Sequence, residues 1–281
     1  MFNNSELILT PTPTRPTRPP RQRHIWINSD RVFYSGLIGQ RTTRVMGSIL
    51  MYVSLSEPIR ISIDNGDWIT TDFAVVQPYT PHRIECDNRL VAVMHIEPET
   101  VALEYLPAYL KSRSGKVADP ELVQRIVDAY AKINRLGDII DPKTEDFDMF
   151  FFGQLLVRPP PFESRIAMLV ERIKENPCGQ ASAISCAADS GLSVSRFLHL
   201  FRATVGISFR SFRSWKRGRS LLYRLLDSNN LIYLALNTGY PDATHFSHSV
   251  RQVFGMTPTL LFKSSQSIRM YGQAIPPPHA L

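Results

Sequence analysis

Two stretches of the chain, 49 positions apart, carry the same kinds of polar side chain at the same spacing: Ser195, Arg196, His199 and Arg202 in one, Thr244, His245, His248 and Arg251 in the other. Residues three and four apart share one face of a helix. Hydroxyl, imidazole and guanidinium groups on such a face are donors suited to phosphates and to the edges of bases. His245 and His248 could in principle share a metal, but no cysteine or carboxylate cluster accompanies them, and a metal site needs about three protein ligands.

The apolar residues beside these faces supply the helices that position them. Gly191-Leu192-Ser193 leads into Phe197, Leu200 and Phe201, ending at Gly206; Gly239-Tyr240 leads to Phe246, Val250 and Phe254, ending at Gly255. The pairs Phe197/Phe246, Phe201/Val250, Arg202/Arg251 and Gly206/Gly255 keep the offset of 49, so the chain holds a structural repeat. Small residues (Ala183, Ala187 and Ala188, then Ala235) predict a short first helix in each copy that crosses the second closely, the grammar of a helix-turn-helix. Between the copies, residues 208–227 interleave Arg210, Arg213, Lys216, Arg217, Arg219 and Arg224 with Phe212, Trp215, Leu221, Leu222 and Leu225. That pattern predicts one basic amphipathic helix. About twenty residues span roughly 30 Å, close to the ~34 Å between successive major-groove faces of B-DNA. Lys216 and Arg217 are expected to face phosphates, with Phe212 and Trp215 pinning this strut to the two lobes.

Charge supports the same reading. Residues 164–281 hold 14 Lys+Arg and 5 Asp+Glu, a net of +9, whereas the rest of the chain carries −2. Excess positive charge confined to one half points to a polyanionic partner, nucleic acid ahead of an anionic membrane.

The motifs Gly191-Leu192-Ser193-x-Ser195-Arg196-Phe197-x-x-Leu200-Phe201 and Gly206-x-Ser208-Phe209 resemble the AraC/XylS family of bacterial transcription regulators. So, above all, do Gly239-Tyr240-x-Asp242-x-x-His245-Phe246-Ser247 and Phe254-Gly255-Met256-Thr257-Pro258. The resemblance covers about residues 164–265. It implies a regulator, an activator by preference, that binds double-stranded promoter DNA through both second helices and works with RNA polymerase. It also implies a cupin-like N-terminal domain for an effector or for dimerisation. DNA-binding residues are expected at Ser193, Ser195, Arg196, His199, Arg202, Lys216, Arg217, Ala243, Thr244, His245, Ser247, His248 and Arg251. The family commonly has arginine where His199 and His248 stand, so an operator sequence does not carry over. Affinity is expected to rise as pH falls if these imidazoles protonate on DNA; otherwise they act as neutral contacts.

Upstream, the signals are those of strands. Ile59, Ile61 and Ile63 alternate with polar residues and precede Asn65-Gly66, a hairpin turn, after which residues 67–77 should pair back. Val91, Val93 and His95 alternate again, predicting a small antiparallel barrel or sandwich. His82 stands where cupin-like barrels often have a pocket histidine. No HxH with a following glutamate precedes it, so it is expected to line an effector pocket or a core rather than hold a catalytic metal. Cys86, Cys178 and Cys186 form no CxxC pair. A cupin-like enzyme and a DNA-repair alkyltransferase are the rivals of another class; the first lacks its metal set, the second its reactive-cysteine motif and four-cysteine zinc site. No catalytic residue, metal or cofactor is expected.

A helical connector follows, with Asp119 capping a helix through Leu122, Ile126, Val127, Tyr130 and Ile133, and Thr144 capping another through Phe147, Phe150, Phe151 and Leu155. Its amphipathic helices suit a homodimer interface or packing on the barrel. The expected architecture is α+β: a Pro/Thr/Arg tail over 1–23, a cupin-like β-barrel or sandwich with its connector over 24–160, an all-α domain with two helix-turn-helix units over 161–266, and a flexible tail over 267–281. With no signal-peptide pattern and no long apolar run, a cytoplasmic protein that avoids the membrane is expected.

Overall fold

A computed structural model describes residues 23–36, 38, 42–87, 90–136, 140–141, 144–179, 181–227, 240, 242–265 and 268–272. The expected N-terminal tail, apart from Arg23, and Ala235 lie outside them. Two sheets form the N-terminal half. The larger joins β1 (Arg23–Ile27), β2 (Arg31–Ser35), β3 (Ile49–Ser54), β6 (Phe73–Val76), β8 (Val91–Ile96), β9 (Gly115–Lys116) and β10 (Ile268–Gly272), in the order β10-β1-β2-β8-β3-β6-β9. The smaller is β5-β4-β7, made of β4 (Ile59–Ile63), β5 (Ile69–Thr71) and β7 (His82–Glu85).

The central strands β3 and β8 are buried on both faces, which explains why 49–54 and 91–96 are apolar at nearly every position. Tyr34, Leu50, Tyr52, Val91 and Val93 point to the smaller sheet and the C-terminal half. Trp26, Phe33, Met51, Ala92 and Met94 point to the connector helices α2 (Pro120–Leu136) and α3 (Phe147–Phe152). A short helix α1 (Ala108–Lys111) precedes α2. As expected, Asp119 accepts from the Leu122 amide (3.0 Å) at the start of α2. The cap of α3 is Asp146 rather than Thr144: its side chain accepts from the Met149 amide, and Thr144 lies in the preceding turn.

The hairpin after β4 turns one residue earlier than the Asn65-Gly66 pair implied. Asp64 and Asn65 both carry positive φ (50° and 59°), and the Gly66 amide donates to the Ile63 carbonyl at 2.8 Å. Both side chains tolerate the left-handed region, so Gly66 can serve as the closing residue. The predicted return strand 67–77 is two strands: β5 pairs with β4, whereas β6 passes to the other sheet beside β3. The break falls at Asp72, whose carbonyl accepts from the Ser54 amide.

Arg31 fastens the connector to the sheet. Its Nε and Nη2 reach both oxygens of Asp148 (2.8 and 3.0 Å), and its Nη1 donates to the Thr100 hydroxyl. Asp148 also accepts from the Leu156 amide, so each member of this buried group has a partner.

The C-terminal half comprises α4 (Ser164–Glu175), α5 (Ala183–Asp189), α6 (Val194–Val205), α7 (Phe209–Asp227), α8 (Ala243–Phe254) and α9 (Pro258–Ser265). The start expected at Ser164 is observed. Ile166, Val170, Cys186, Phe197, Phe201 and Phe212 form the core of the first lobe. Phe246, Val250 and Phe254 join Trp215, Leu221 and Leu222 in a core that is continuous with the barrel. Gly218 permits α7 and α8 to meet, since a Cβ there would stand 3.0 Å from Val253 Cγ2.

Residues 268–272, expected in a flexible tail, are the strand β10, parallel to β1 with Arg23 opposite Ile268 and Ile27 opposite Gly272. Tyr271 is buried among the rings of His24 and Trp26. The outer edge of β1 offers unpaired backbone groups, and an alternating segment satisfies them.

Asp148→Ala should lower the unfolding free energy by about 3 kcal/mol or more, because it strands a buried guanidinium. Asp30→Ala, which frees the exposed Arg158, should cost less than about 1 kcal/mol. Urea melts of the two variants compare these costs directly.

Candidate nucleic-acid interface

The repeat offset holds for whole helices. Both α6 and α8 run twelve residues, from Val194 to Val205 and from Ala243 to Phe254. Ser193 and Asp242 cap their starts, accepting from the Arg196 and His245 amides. Gly206 and Gly255 end them in the left-handed region, with φ of 82° and 65°. Identical caps at both ends fix which side chains each helix turns outward.

In α6 the exposed face presents Ser195, Arg196, His199, Arg202 and Ala203, while Phe197, Phe201 and Val205 are buried. In α8 Ala243, Thr244, His245, His248 and Arg251 are exposed, Ser247 and Gln252 half-buried, and Phe246, Val250, Val253 and Phe254 inside. Both polar arcs are thus free of the barrel. Ser193 is exposed, and its side chain serves as a helix cap. His245 Nδ1 lies 2.8 Å from Asp242 Oδ2. The His245 amide, then its ring, hold the Asp242 carboxyl below the usual range.

The strut is not basic all round. Lys216, expected on phosphate, is buried at the junction with the barrel, where its Nζ pairs with Glu97 and Glu99. Arg219 Nε is 3.2 Å from Glu97 Oε1, and Trp215 Nε1 donates to the same oxygen at 2.9 Å. Trp215 therefore pins the strut to the barrel, stacked on His95 with centroids 4.6 Å apart, whereas Phe212 pins it to the first lobe. Burial works to raise the Glu97 pKa, but Arg219 and Lys216 outweigh it and hold it at about 2. Glu99 is shifted upward, by burial first and by the Glu97 charge.

The opposite face of α7 is the cationic one. Arg210, Arg213, Ser214 and Arg217 line a groove of about 380 Å³ with Tyr240, His245 and Ser249 of the second lobe and Ala183 of the first. Arg217 lies over the Tyr240 ring (5.2 Å), and Arg213 donates to the Gly179 carbonyl. Burial and the neighbouring Arg217 lower the Arg213 pKa. Among the described residues the lining contains no carboxylate, and His245 belongs both to it and to the exposed arc of α8. Arg210 and Arg213 were absent from the residues expected on DNA. Their spacing with Arg217, three and four residues along one helical face, separates them from Lys216 and Arg219 on the other.

His82 is buried between the sheets. Its Nδ1 lies 3.0 Å from the Thr80 carbonyl and its Nε2 2.7 Å from the Tyr52 hydroxyl. Burial lowers its pKa to about 4, the Thr80 carbonyl opposing; burial likewise lowers His95 to about 3, with Glu97 opposing. Among the described residues no three His, Cys, Asp or Glu side chains stand together as a metal site, and no described helix is long and apolar enough to cross a membrane.

The family description "helix-turn-helix domain" matches residues 186–264, the stretch that holds both capped helices and the strut. Over these residues the chain is similar to AraC-type helix-turn-helix domains. The invasion protein InvF of Salmonella typhi is 27% identical over 123 residues, covering 41% of this chain and 57% of that protein, and InvF of Salmonella typhimurium gives the same figures. The chain therefore spans little more than half the length of these relatives. ToxT of Vibrio cholerae O395 shares the fold at 10% identity, with a TM-score of 0.51 over 86% of this chain and 96% of that one. The likeness is one of fold, an N-terminal β domain followed by a helical domain.

Lys216→Ala should destabilise the protein by about 3–5 kcal/mol, since Glu97 and Glu99 lose a buried partner, and leave the salt dependence of DNA binding unchanged. Arg210→Ala should instead leave melting unaltered and reduce the slope of log K against log salt by about 1. Parallel calorimetry and salt titrations distinguish them. The two buried imidazoles add a pH dependence: their folded pKa values lie below the unfolded one, so the unfolded chain takes up protons first and stability falls with pH. Between about pH 6 and about pH 5, urea unfolding of His95→Gln should show a slope smaller than wild type by about 1 kcal/mol per pH unit.

Proposed function

We propose that the protein is a sequence-specific transcription regulator, an activator, that places α6 and α8 in successive major grooves of a promoter. The observation that carries this reading is the pair of identically capped helices with exposed donor faces, braced by a nineteen-residue helix. At 1.5 Å per residue that brace is roughly 28 Å long, close to one turn of B-DNA. Arg196, His199, Arg202, Thr244, His248 and Arg251 contact base edges and flanking phosphates, while Arg210, Arg213 and Arg217 hold the backbone that crosses between the grooves. Lys216 has no part in this, being occupied in the domain junction. RNA polymerase is the partner at the promoter, and the cytoplasm is where the two meet.

The β domain, with His82 in its interior, senses a small-molecule effector. A second reading, dimerisation through the connector, draws on the groove of about 650 Å³ between α2 and α3, lined by Gln124, Asp128, Lys132, Met149 and Phe150. In this reading the two roles coexist.

Selection of bound fragments from a random DNA pool, followed by anisotropy on the winning site, tests the assignment. Arg196→Ala or His199→Ala should cost about 1–3 kcal/mol and relax preference in one half-site; His248→Ala should do so about one helical turn away. Enrichment of no sequence, with equal affinity for every fragment, would show that the helices are not inserted.

A further inference from the structure

The offset that superimposes α6 on α8 also shows where the two helices part. Val194 and Leu198 of α6 fall opposite Ala243 and Ser247 of α8. The buried arcs correspond, with Phe197, Phe201 and Val205 inside in the first copy and Phe246, Val250 and Phe254 inside in the second. The difference therefore lies on the outer side. Leu198 is 39% exposed and Val194 38%. The core of the first lobe takes in the partly buried Leu192 and Leu200 but neither of these two.

A lone exposed leucine is ordinary on a protein surface. The placement of this one is not. Leu198 stands three residues after Ser195 and four before Arg202, with His199 next to it, and all three of those polar residues are exposed. Val194, at the first position of the helix, lies four residues before Leu198, so the two branched side chains form a strip along one margin of the donor arc. The caps at Ser193 and Gly206 hold α6 in one orientation, and whatever meets the arc also meets the strip.

In the wide groove of B-DNA the apolar group that a base presents is the 5-methyl of thymine, beside its O4 acceptor. Cytosine in the same place presents an amino donor and no methyl. Apolar carbon bordered by hydroxyl, imidazole and guanidinium donors matches the first pattern: the leucine covers the methyl while a neighbouring donor reaches O4. The sugar–phosphate backbone offers charge and oxygen, for which a leucine has no complement.

We propose that Leu198, with Val194 extending the strip, reads the 5-methyl group of a thymine in the half-site that α6 enters. The matched place in the other half-site faces the half-buried Ser247 and carries no such requirement. This inference rests on α6 and α8 entering successive major grooves, and it names a base that one of them selects. Two helices with the same frame thereby read unlike half-sites, and the unlikeness fixes the direction in which the chain lies on the duplex.

The test uses the full chain and the selected DNA, with each thymine replaced in turn by deoxyuridine, which keeps O4 and the pairing edge and lacks only the methyl. The half-site of α6 is the one in which Arg196→Ala relaxes preference. Anisotropy should show a loss of affinity of about four-fold at one thymine there, the worth of one carbon withdrawn from water. Leu198→Ser, which gives α6 the residue that α8 has, should bind the thymine and deoxyuridine duplexes equally, and Leu198→Met should restore the difference. Deoxyuridine at the matched place about one helical turn away should leave affinity unchanged. A selected half-site without thymine, no loss at any of its thymines, an equal loss at the matched place, or a loss that persists in Leu198→Ser overturns the assignment. So does a change in the sedimentation of the DNA-free protein on Leu198→Ser, which would give the strip to a second copy of the chain. Sequence-specific binding that ignores deoxyuridine removes the methyl reader and leaves the regulator; equal affinity for every fragment removes both.

Discussion

The ion cluster at the junction, Glu97 and Glu99 of the barrel against Lys216 and Arg219 of α7, is the constraint on which the arrangement of the two halves depends. Charges withdrawn from water this completely are tolerated only when paired and hydrogen-bonded. The Trp215 indole supplies one such bond, and its ring closes the barrel mouth by stacking on His95. Position is dictated here more than stability is gained, since apolar residues of like volume could bury the same area. What the ions add is register: α7 can sit on the barrel only where two carboxylates meet two cations. Since α7 also carries the cores of both lobes, the barrel thereby sets the posture of α6 and α8.

Much of this was legible beforehand. The interval of 49 located two equal helices to the residue, because caps are short-range chemistry: a serine or aspartate before, a glycine after, and phenylalanines at fixed spacing between. The exposed arcs followed from periodicity alone. Other features were illegible for a single reason, that they are decided by contacts distant in the chain. Lys216 and Arg217 are adjacent and chemically alike, yet one faces Glu97, 119 residues away, and the other stacks on Tyr240. Composition shows a basic helix, and only the fold shows that two of its cations, Lys216 and Arg219, are spent internally.

The β domain repeats the lesson. Alternation identified β4, but β3 and β8 lie between two cores and show no polar face, so their role as the centre of the larger sheet is a property of layering. The return strand was read as one element because nothing local distinguishes β5 from β6. The split at Asp72 exists because β3, elsewhere in the chain, competes for the second part. His82 was singled out because it stands where cupin-like barrels often have a pocket histidine. The buried Arg44, whose backbone pairs with that of His82, gave no sign, because the three residues on either side of it include no pattern that a burial argument can use.

The parallel pairing of β10 with β1 gives the molecule an unusual order of assembly. The sheet that begins with Arg23 is completed by residues beyond α9, so during synthesis β1 emerges early and waits with one side open while both lobes are made. Until then that bare side can zip onto another copy emerging nearby. The same strap ties the far end of the helical half back to the start of the β domain, leaving the halves joined at two places. They cannot drift apart on a single tether.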